Sequence, residues 1–378
     1  MFKIKKDIKD NYYEKKIIVA GISVFQKTKN VYNAGKYDVF LKKIKFLNFT
    51  IFKQIQLHSP INYFNHKRLQ NKKINQYVLS SENTQLIFSN KLKQILTTDM
   101  LYNLSKNLDN ESIKTINTIL YRLKNINEEC DFVFANDDEI DKLKDIEQNF
   151  LRQIITIDNE TYFYNGFFLP INHFEASVFF YKHNIDCFQK NTLSKIHQKS
   201  IIDVGGYIGD SAIVFEKEFP YSNIYCFEAS QNNYNLLLKT LKLNNSQKIT
   251  AINKGLGSEN KTIKLSFAGS CSTLCSEISD QYENIEIITL DDYVKTNNIE
   301  VGLIKVDIEG FEQDFLKGAL ETIKKHKPAL ILSIYHNIDD FFNIKPFIEQ
   351  LNLGYTFKII KPVDGSISLE TILLCEVN

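Results

Sequence analysis

The stretch IIDVGGYIGD, Ile201 to Asp210, decides the reading of this chain: an apolar run ends in Asp203, and Gly205, Gly206 and Gly209 follow at once. Lys199 to Val204 has the pattern of a short strand. The glycines allow a tight turn with close backbone approach, and Asp210 to Phe219 carries a helical pattern. Further on, Asn223 to Phe227 forms a second apolar run that ends on Glu228. A carboxylate at that spacing suits the paired hydroxyls of a ribose, because it can accept both hydrogen bonds.

Charge narrows the choice of cofactor. The pyrophosphate of a dinucleotide needs an unopposed helix N-terminus, and a carboxylate at Asp203 beside the turn repels it. S-Adenosylmethionine carries an ammonium and a sulfonium, which an acid at the strand end attracts. The glycines also depart from the G-x-G-x-x-G order of dinucleotide sites. S-Adenosylmethionine is therefore the expected cofactor, and a nicotinamide dinucleotide the alternative. A glycine turn that merely joins strand to helix is the bland reading, opposed by Glu228 at close to the expected separation of about 20 residues.

Downstream, the segments DVGGYIGDS, IYCFEAS, NYNLLLKTLKLNN, INKGLGSEN, ITLDDY and LIKVDIEGFEQDFLKGA follow one another in order. This order resembles the FkbM family of S-adenosylmethionine-dependent methyltransferases from about Lys199 to the C-terminus. PALILSIYHNIDDF and the terminal ETILLCE resemble a bacterial subgroup. Gly206 stands where many relatives read DVGAN or DCGAY, and Ile360 to Asp364 replaces an aromatic-rich stretch. The resemblance implies an α/β fold of the class I Rossmann-like methyltransferase type, with a seven-stranded, mostly parallel sheet; apolar spacing reads as a mainly helical N-terminal region before it.

The residue pattern agrees with that implication. Strands are predicted at Ile201–Val204, Ile224–Phe227, Ile249–Asn253, Val301–Val306, Ala329–Ile334, Tyr355–Ile360 and Thr371–Glu376. Helices are predicted at Asn232–Leu243, Leu290–Thr296, Phe311–Lys325 and Asp340–Leu351. Ligands of such sheets bind at the carboxyl ends of strands, which gathers Asp203, Glu228, Leu256, Asp307 and His336 at one edge. Asp203 and the turn Gly205, Gly206, Tyr207, Gly209 and Asp210 are expected to face the methionine part of the donor. Glu228 with Ala229 is expected at the ribose, and Gly255 with Leu256 at the adenine. Asp307 and Glu309, in KVDIEGFE, are the expected catalytic acids, binding the acceptor hydroxyl or a divalent ion. In the alternative reading, Glu309 caps the helix near Phe311. His336, in SIYHN, is a candidate general base, because imidazole titrates near neutrality; Asp307 is the other. No metal site is assigned, and a divalent ion is left open without support.

With 378 residues, 43% of them hydrophobic, the chain can fill more than one core. Three regions are expected: a basic segment 1–68, a mainly helical region 69–170 and the cofactor domain 171–378. Helical spacing marks Asn90–Leu104, Ser112–Leu123, preceded by Asp109 or Asn110 as caps, and Asp137–Leu151. The aromatic stretch Ile154–Leu169 reads as strands. The acidic runs Glu128–Asp131 and Asp137–Glu139 lack the glycine and periodicity of a calcium loop and read as solvated or helix-capping charge. The six cysteines, Cys130, Cys187, Cys226, Cys271, Cys275 and Cys375, are scattered and read as reduced structural thiols.

Net charge is only +1, yet residues 1–73 hold 17 Lys and Arg against 4 Asp and Glu, leaving 29 against 41 in the remainder. Such a basic segment suits anionic lipid or an acidic, phosphate-linked acceptor. No nucleic-acid recognition motif accompanies it. Its stretch KKIIVAGISVFQKTKN is similar to a short leader of some bacterial surface-glycan transferases. Taken with the resemblance, this points to a glycan, sugar-nucleotide or lipid-linked sugar acceptor and to O-methylation of a sugar hydroxyl. The alternatives are a dinucleotide oxidoreductase and a noncatalytic interaction protein of a glycan pathway with a vestigial cofactor site. Without a signal peptide or a long apolar run, the expected location is the cytoplasm, with peripheral contact at the inner membrane face.

Overall fold

The structure is a computed structural model and describes residues 77–80, 83–127, 132–268, 271–273 and 282–377, together with the backbone of five strands between residues 2 and 58. The chain divides into two compact units, residues 1–75 with 266–281 and residues 76–265 with 282–378. In the first, five strands pair antiparallel in simple succession, Phe2–Lys9, Tyr12–Val19, Ile22–Ala34, Tyr37–Phe46 and Phe49–His58. The basic residues and the leader-like stretch fall here, where side chains lie outside the described residues.

The second unit is built on a seven-stranded sheet: β1 (Ser200–Val204), β2 (Ile224–Phe227), β3 (Ile249–Ile252), β4 (Val301–Val306), β5 (Ala329–Ser333), β6 (Tyr355–Ile360) and β7 (Ile372–Val377). Their spatial order is β3-β2-β1-β4-β5-β7-β6. All neighbouring pairs from β3 to β5 are parallel, while β7 runs antiparallel to both β5 and β6. The expected seven strands are all present, each within a residue or two of its predicted bounds.

Apolar runs, rather than alternating patterns, produce this sheet because both of its faces are covered. Ile202, Val204, Ile304, Val306, Leu330 and Leu332 enter one core. Their sequence neighbours Ile201, Leu303, Ala329 and Ile331 enter the other, with Phe215 of the helix Asp210–Glu218 and Phe219 at its C-cap. The period of two is thus intact, but both phases are apolar.

The helical region shares the first of these cores. Phe88, Leu92, Leu104, Ile116, Ile119 and Leu123 belong to the same buried cluster as the sheet residues, so the boundary placed at residue 170 falls inside one compact unit. The segment read as one helix over Asn90–Leu104 is two, Asn83–Ile95 and Thr98–Ser105. Thr97 starts the second, its side chain accepting from Met100 N at 3.3 Å. Asp109 caps the helix Asn110–Asn125 through Ser112 N at 2.7 Å. The acidic run at Asp137 opens the helix Asp137–Asn149, where Asn136 and Glu139 form a capping box and Arg122 grips Glu139 with two bonds of 2.7 Å. The other acidic run, Glu128–Asp131, lies outside the described residues. Ile155–Asp158, Thr161–Tyr164 and Phe167–Leu169 form a small antiparallel sheet, as the aromatic pattern suggested.

Two further differences bear on the site. The helix expected over Phe311–Lys325 is broken into Glu312–Lys317 and Leu320–His326, because the Gly318 carbonyl turns away to accept from Asp291 N at 3.0 Å. Gly255–Leu256 pairs in parallel with Ile287 and Ile288 of a strand, Tyr282–Ile288, that the apolar pattern did not single out. Cys187, Cys226 and Cys375 are free thiols, as expected; the other three cysteines fall outside the side chains described. Among the described residues no helix is long and apolar enough to cross a membrane.

Candidate active site

The parallel strands deliver their following loops to one edge. β1 runs into the glycine turn, β2 into Glu228, β4 into Asp307 and β5 into Tyr335 and His336. At the turn, Gly205 and Gly206 both donate to the Phe227 carbonyl, at 3.0 and 2.8 Å. Gly205 has φ +76, and a Cβ there would stand 1.9 Å from the backbone oxygen of Asp307. A side chain at Gly205 would therefore push the donor turn off the loop after β4. A Cβ on Gly206 would meet Cys226 Sγ at 2.1 Å, so the position suits glycine while Cys226 fills the space beside it. Tyr207 follows with φ 46, and Gly209 forms the N-cap of the helix beginning at Asp210.

Asp203, expected at the donor, is buried within the sheet. It is 0% exposed and stands in register between Cys226 and Lys305 on the neighbouring strands. Cys226 Sγ donates to Oδ2 at 3.4 Å, and Lys305 Nζ lies 3.2 Å from Oδ1. The same ammonium donates to the Gly205 carbonyl at 2.9 Å, tying the ion pair to the turn. Burial alone would lower the Lys305 pKa, but Asp203, Asp307 and Asp210 hold it above its ordinary value.

Negative charge near the turn comes from Asp210, expected there, and from Glu175, which the sequence reading passed over. His173, Glu175 and Asp210 bring their ligating atoms within 4.8 Å of one another. His173 Nε2 is 2.8 Å from Glu175 Oε1, and the His173 ring meets Tyr207 edge to face at 5.1 Å. Burial and the Glu175 charge raise Asp210 to about 6. Nearby, His183 is buried in left-handed backbone with Lys182 and Asn184, φ 49 to 55, and shares a 2.9 Å hydrogen bond with Ser211 Oγ. Burial, then Lys305, push its pKa down to about 3, so it is neutral. FEASVFFYKHN preceding the turn was the available signal: a π-helical turn, Ala176–Phe180, packs these residues over the helix Asp210–Glu218.

Glu228 is 8% exposed and accepts from Tyr207 N at 2.8 Å, Ser230 N at 2.9 Å and Asn233 Nδ2 at 3.3 Å. Burial raises it to about 7, against these hydrogen bonds. The carboxylate is thus held in place with acceptor capacity left over. Ala229 and Gly255 are brought together, since a Cβ on Gly255 would lie 3.4 Å from that of Ala229. The Leu256 side chain, 5% exposed, belongs to the core.

At the other side, His336 is flanked by three carboxylates. Its Nδ1 lies 2.9 Å from Glu312 Oε1, and its Nε2 lies 3.1 Å from Asp307 Oδ1 and 3.6 Å from Glu309 Oε2, none aligned with an N–H bond. Burial opposes its charge, but Glu312 and Asp307 hold its pKa well above the ordinary histidine value. Held as an imidazolium, the ring has no lone pair to take a proton, which weighs against the general-base role expected of His336. The ligating atoms of Asp307, Glu312 and His336 cluster within 4.8 Å of one another. Asp307 stays ionised: burial raises its pKa, yet His336 and Lys305 outweigh this and hold it at about 2. Glu309 does not cap the following helix, which has Phe311 at its N-cap without a side-chain bond; the buried Glu312 instead accepts from Ile308 N at 3.0 Å.

The model of the methyltransferase FkbM domain matches residues 203–357. Methyltransferase 1 of Beauveria bassiana (strain ARSEF 2860) is 23% identical over 186 residues, covering 43% of this chain and 74% of that protein. The crystal structure of methyltransferase FkbM from Methylobacillus flagellatus KT has a TM-score of 0.50 at 18% identity. That match covers 76% of this chain and 60% of the other, so the chain spans less than two thirds of the relative's length. The seven-stranded sheet is accordingly of the Rossmann-like methyltransferase type, and from Asp203 to Phe357 the chain is a methyltransferase domain of the FkbM family.

Proposed function

We propose that this chain is an S-adenosylmethionine-dependent O-methyltransferase acting on a sugar hydroxyl of a surface glycan or its precursor. The observation that carries the reading is the contact between the Gly205 turn and the backbone of Asp307, where a Cβ would stand 1.9 Å from the carbonyl. It presses the donor-binding turn against the loop bearing a carboxylate that stays ionised, so a methyl group held at the turn faces a base. Family membership of residues 203–357 supports the cofactor.

The residues present fit that cofactor. The turn offers a side-chain-free cradle, Glu228 a fixed carboxylate for the ribose, and Asp210 with Glu175 an acidic site for an ammonium. When bound, S-adenosylmethionine supplies an electrophilic methyl group on a sulfonium. Asp307 accepts the acceptor's proton, while His336 and Tyr335 orient its carboxylate. Lys305 joins the turn to this carboxylate's strand.

The glycan acceptor, and a cytoplasmic protein whose basic segment 1–73 rests on an anionic membrane face, belong to the same proposal. Calorimetry with S-adenosylmethionine, S-adenosylhomocysteine and NAD tests the cofactor; binding of NAD alone refutes the reading. Mass spectrometry of surface glycan from cells with and without the gene tests the acceptor, a missing CH2 unit being expected.

A further inference from the structure

Tyr335 places one hydroxyl between two carboxylates. Its oxygen lies 3.3 and 3.4 Å from the two oxygens of Asp307 and 3.2 Å from Oε1 of Glu370. A phenol has a single proton to donate, so it cannot serve both acids at once. If it donates to Asp307, Glu370 must itself carry a proton to donate to the phenol oxygen; if it donates to Glu370, that bond to Asp307 is given up. The three groups come from three separate strand ends, Asp307 after β4, Tyr335 after β5 and Glu370 before β7. Glu370 adopts φ 62, an uncommon conformation for a residue with a side chain.

The two acids differ in surroundings. Asp307 is faced by His336 and Lys305, whose charges favour its ionised form. Glu370 is faced by Glu175, Asp307 and Asp364, and burial followed by these charges pushes its pKa well above the carboxylate range. Tyr335, facing Glu309 and Glu175 as well, is itself held as the neutral phenol by burial and these negative neighbours.

We propose that Glu370 is a positioning residue that holds the proton of the reaction: a proton taken by Asp307 from an acceptor hydroxyl passes through Tyr335 to Glu370. This rests on the methyl-transfer reading. The acceptor O–H bond breaks, its proton going to Asp307. The new C–O bond forms as the methyl–sulfur bond breaks, the electron pair of that bond staying on sulfur. With Glu370 ionised at the start of the turnover, Asp307 then gives its proton to the Tyr335 oxygen while the phenol proton moves to the Glu370 carboxylate. Asp307 is regenerated, and Glu370 later releases the proton to water.

Carboxylate 13C NMR of the full chain over pH tests the link without cofactor. In the wild type, Glu370 should titrate above the ordinary carboxylate range and the Asp307 signal should move at the same midpoint; Tyr335→Phe should abolish the shared step. With a cell-envelope glycan extract as acceptor, Glu370→Gln should lower S-adenosylhomocysteine formation about tenfold, leave donor affinity unchanged and remove the limb of the rate profile that follows the Glu370 midpoint. An Asp307 signal indifferent to Glu370 in the wild type overturns the proposal, as does a Glu370→Gln variant with wild-type turnover and pH profile. A wild-type chain that does not bind S-adenosylmethionine refutes the methyl-transfer reading instead, whatever the NMR shows.

Discussion

Asp203 and Lys305 stand opposite each other on adjacent parallel strands, 3.2 Å apart, with 0% and 6% of their side chains exposed. Removing one partner strands the other charge in the core. Asp203→Ala should therefore destabilise the chain by about 3 to 5 kcal/mol, measured by urea unfolding. Asp203→Leu combined with Lys305→Met should recover much of this loss. Equal stability of single and double variants would show that the pair is not coupled.

Gly206 and Cys226 compete for one volume. Gly206→Ala puts a Cβ 2.1 Å from Cys226 Sγ, an overpacking that should cost about 1 to 3 kcal/mol. Cys226→Ala in the same chain removes the sulfur and should restore stability. The double variant's unfolding midpoint decides the matter.

Glu228 links donor binding to pH. Its raised pKa, about 7 against 4.5, means that the native state keeps this proton to higher pH than the unfolded chain. Its contribution to stability is complete below about 4.5 and is lost as pH rises through about 7. Only the ionised form accepts the ribose hydroxyl bonds fully, so affinity for S-adenosylmethionine should rise from pH 6 to pH 8, by at most about tenfold per unit. Calorimetry should show Glu228→Gln to be weaker and flat with pH.

His336 makes the opposite statement about the base. With its ring held protonated between Asp307 and Glu312, the rate profile should have no limb at the ordinary histidine value of about 6.5. His336→Ala leaves Asp307 and Glu312 without the cation between them and should raise the Asp307 pKa. A turnover limb should then appear in the acid range and move upward with that pKa. Loss of all activity with Asp307 still titrating as in the wild type would restore His336 as the base.

Much of the fold around the candidate site was legible in local sequence. Glycine turns, strand-ending acids and the KVDIEGFE segment all report backbone conformation, and backbone conformation depends on near neighbours. The lost detail is long-range. Asp203 reads as a charge offered to a ligand because its neighbours in sequence are apolar, yet Lys305, a hundred residues later, is beside it. His336 reads as a base until Glu312 and Asp307 are seen on its two nitrogens. ETILLCE could be matched as a segment, but nothing local to Glu370 tells that it meets Tyr335.

The sequence by itself determined the fold type and the cofactor turn, because periodicity, apolar runs and glycine placement are properties of short stretches. Only the tertiary structure decided which acids are ionised, which are paired and which face the reacting edge. Those properties follow from burial and from charges a few ångströms away in space, brought there by the register of parallel strands whose partners are far apart along the chain.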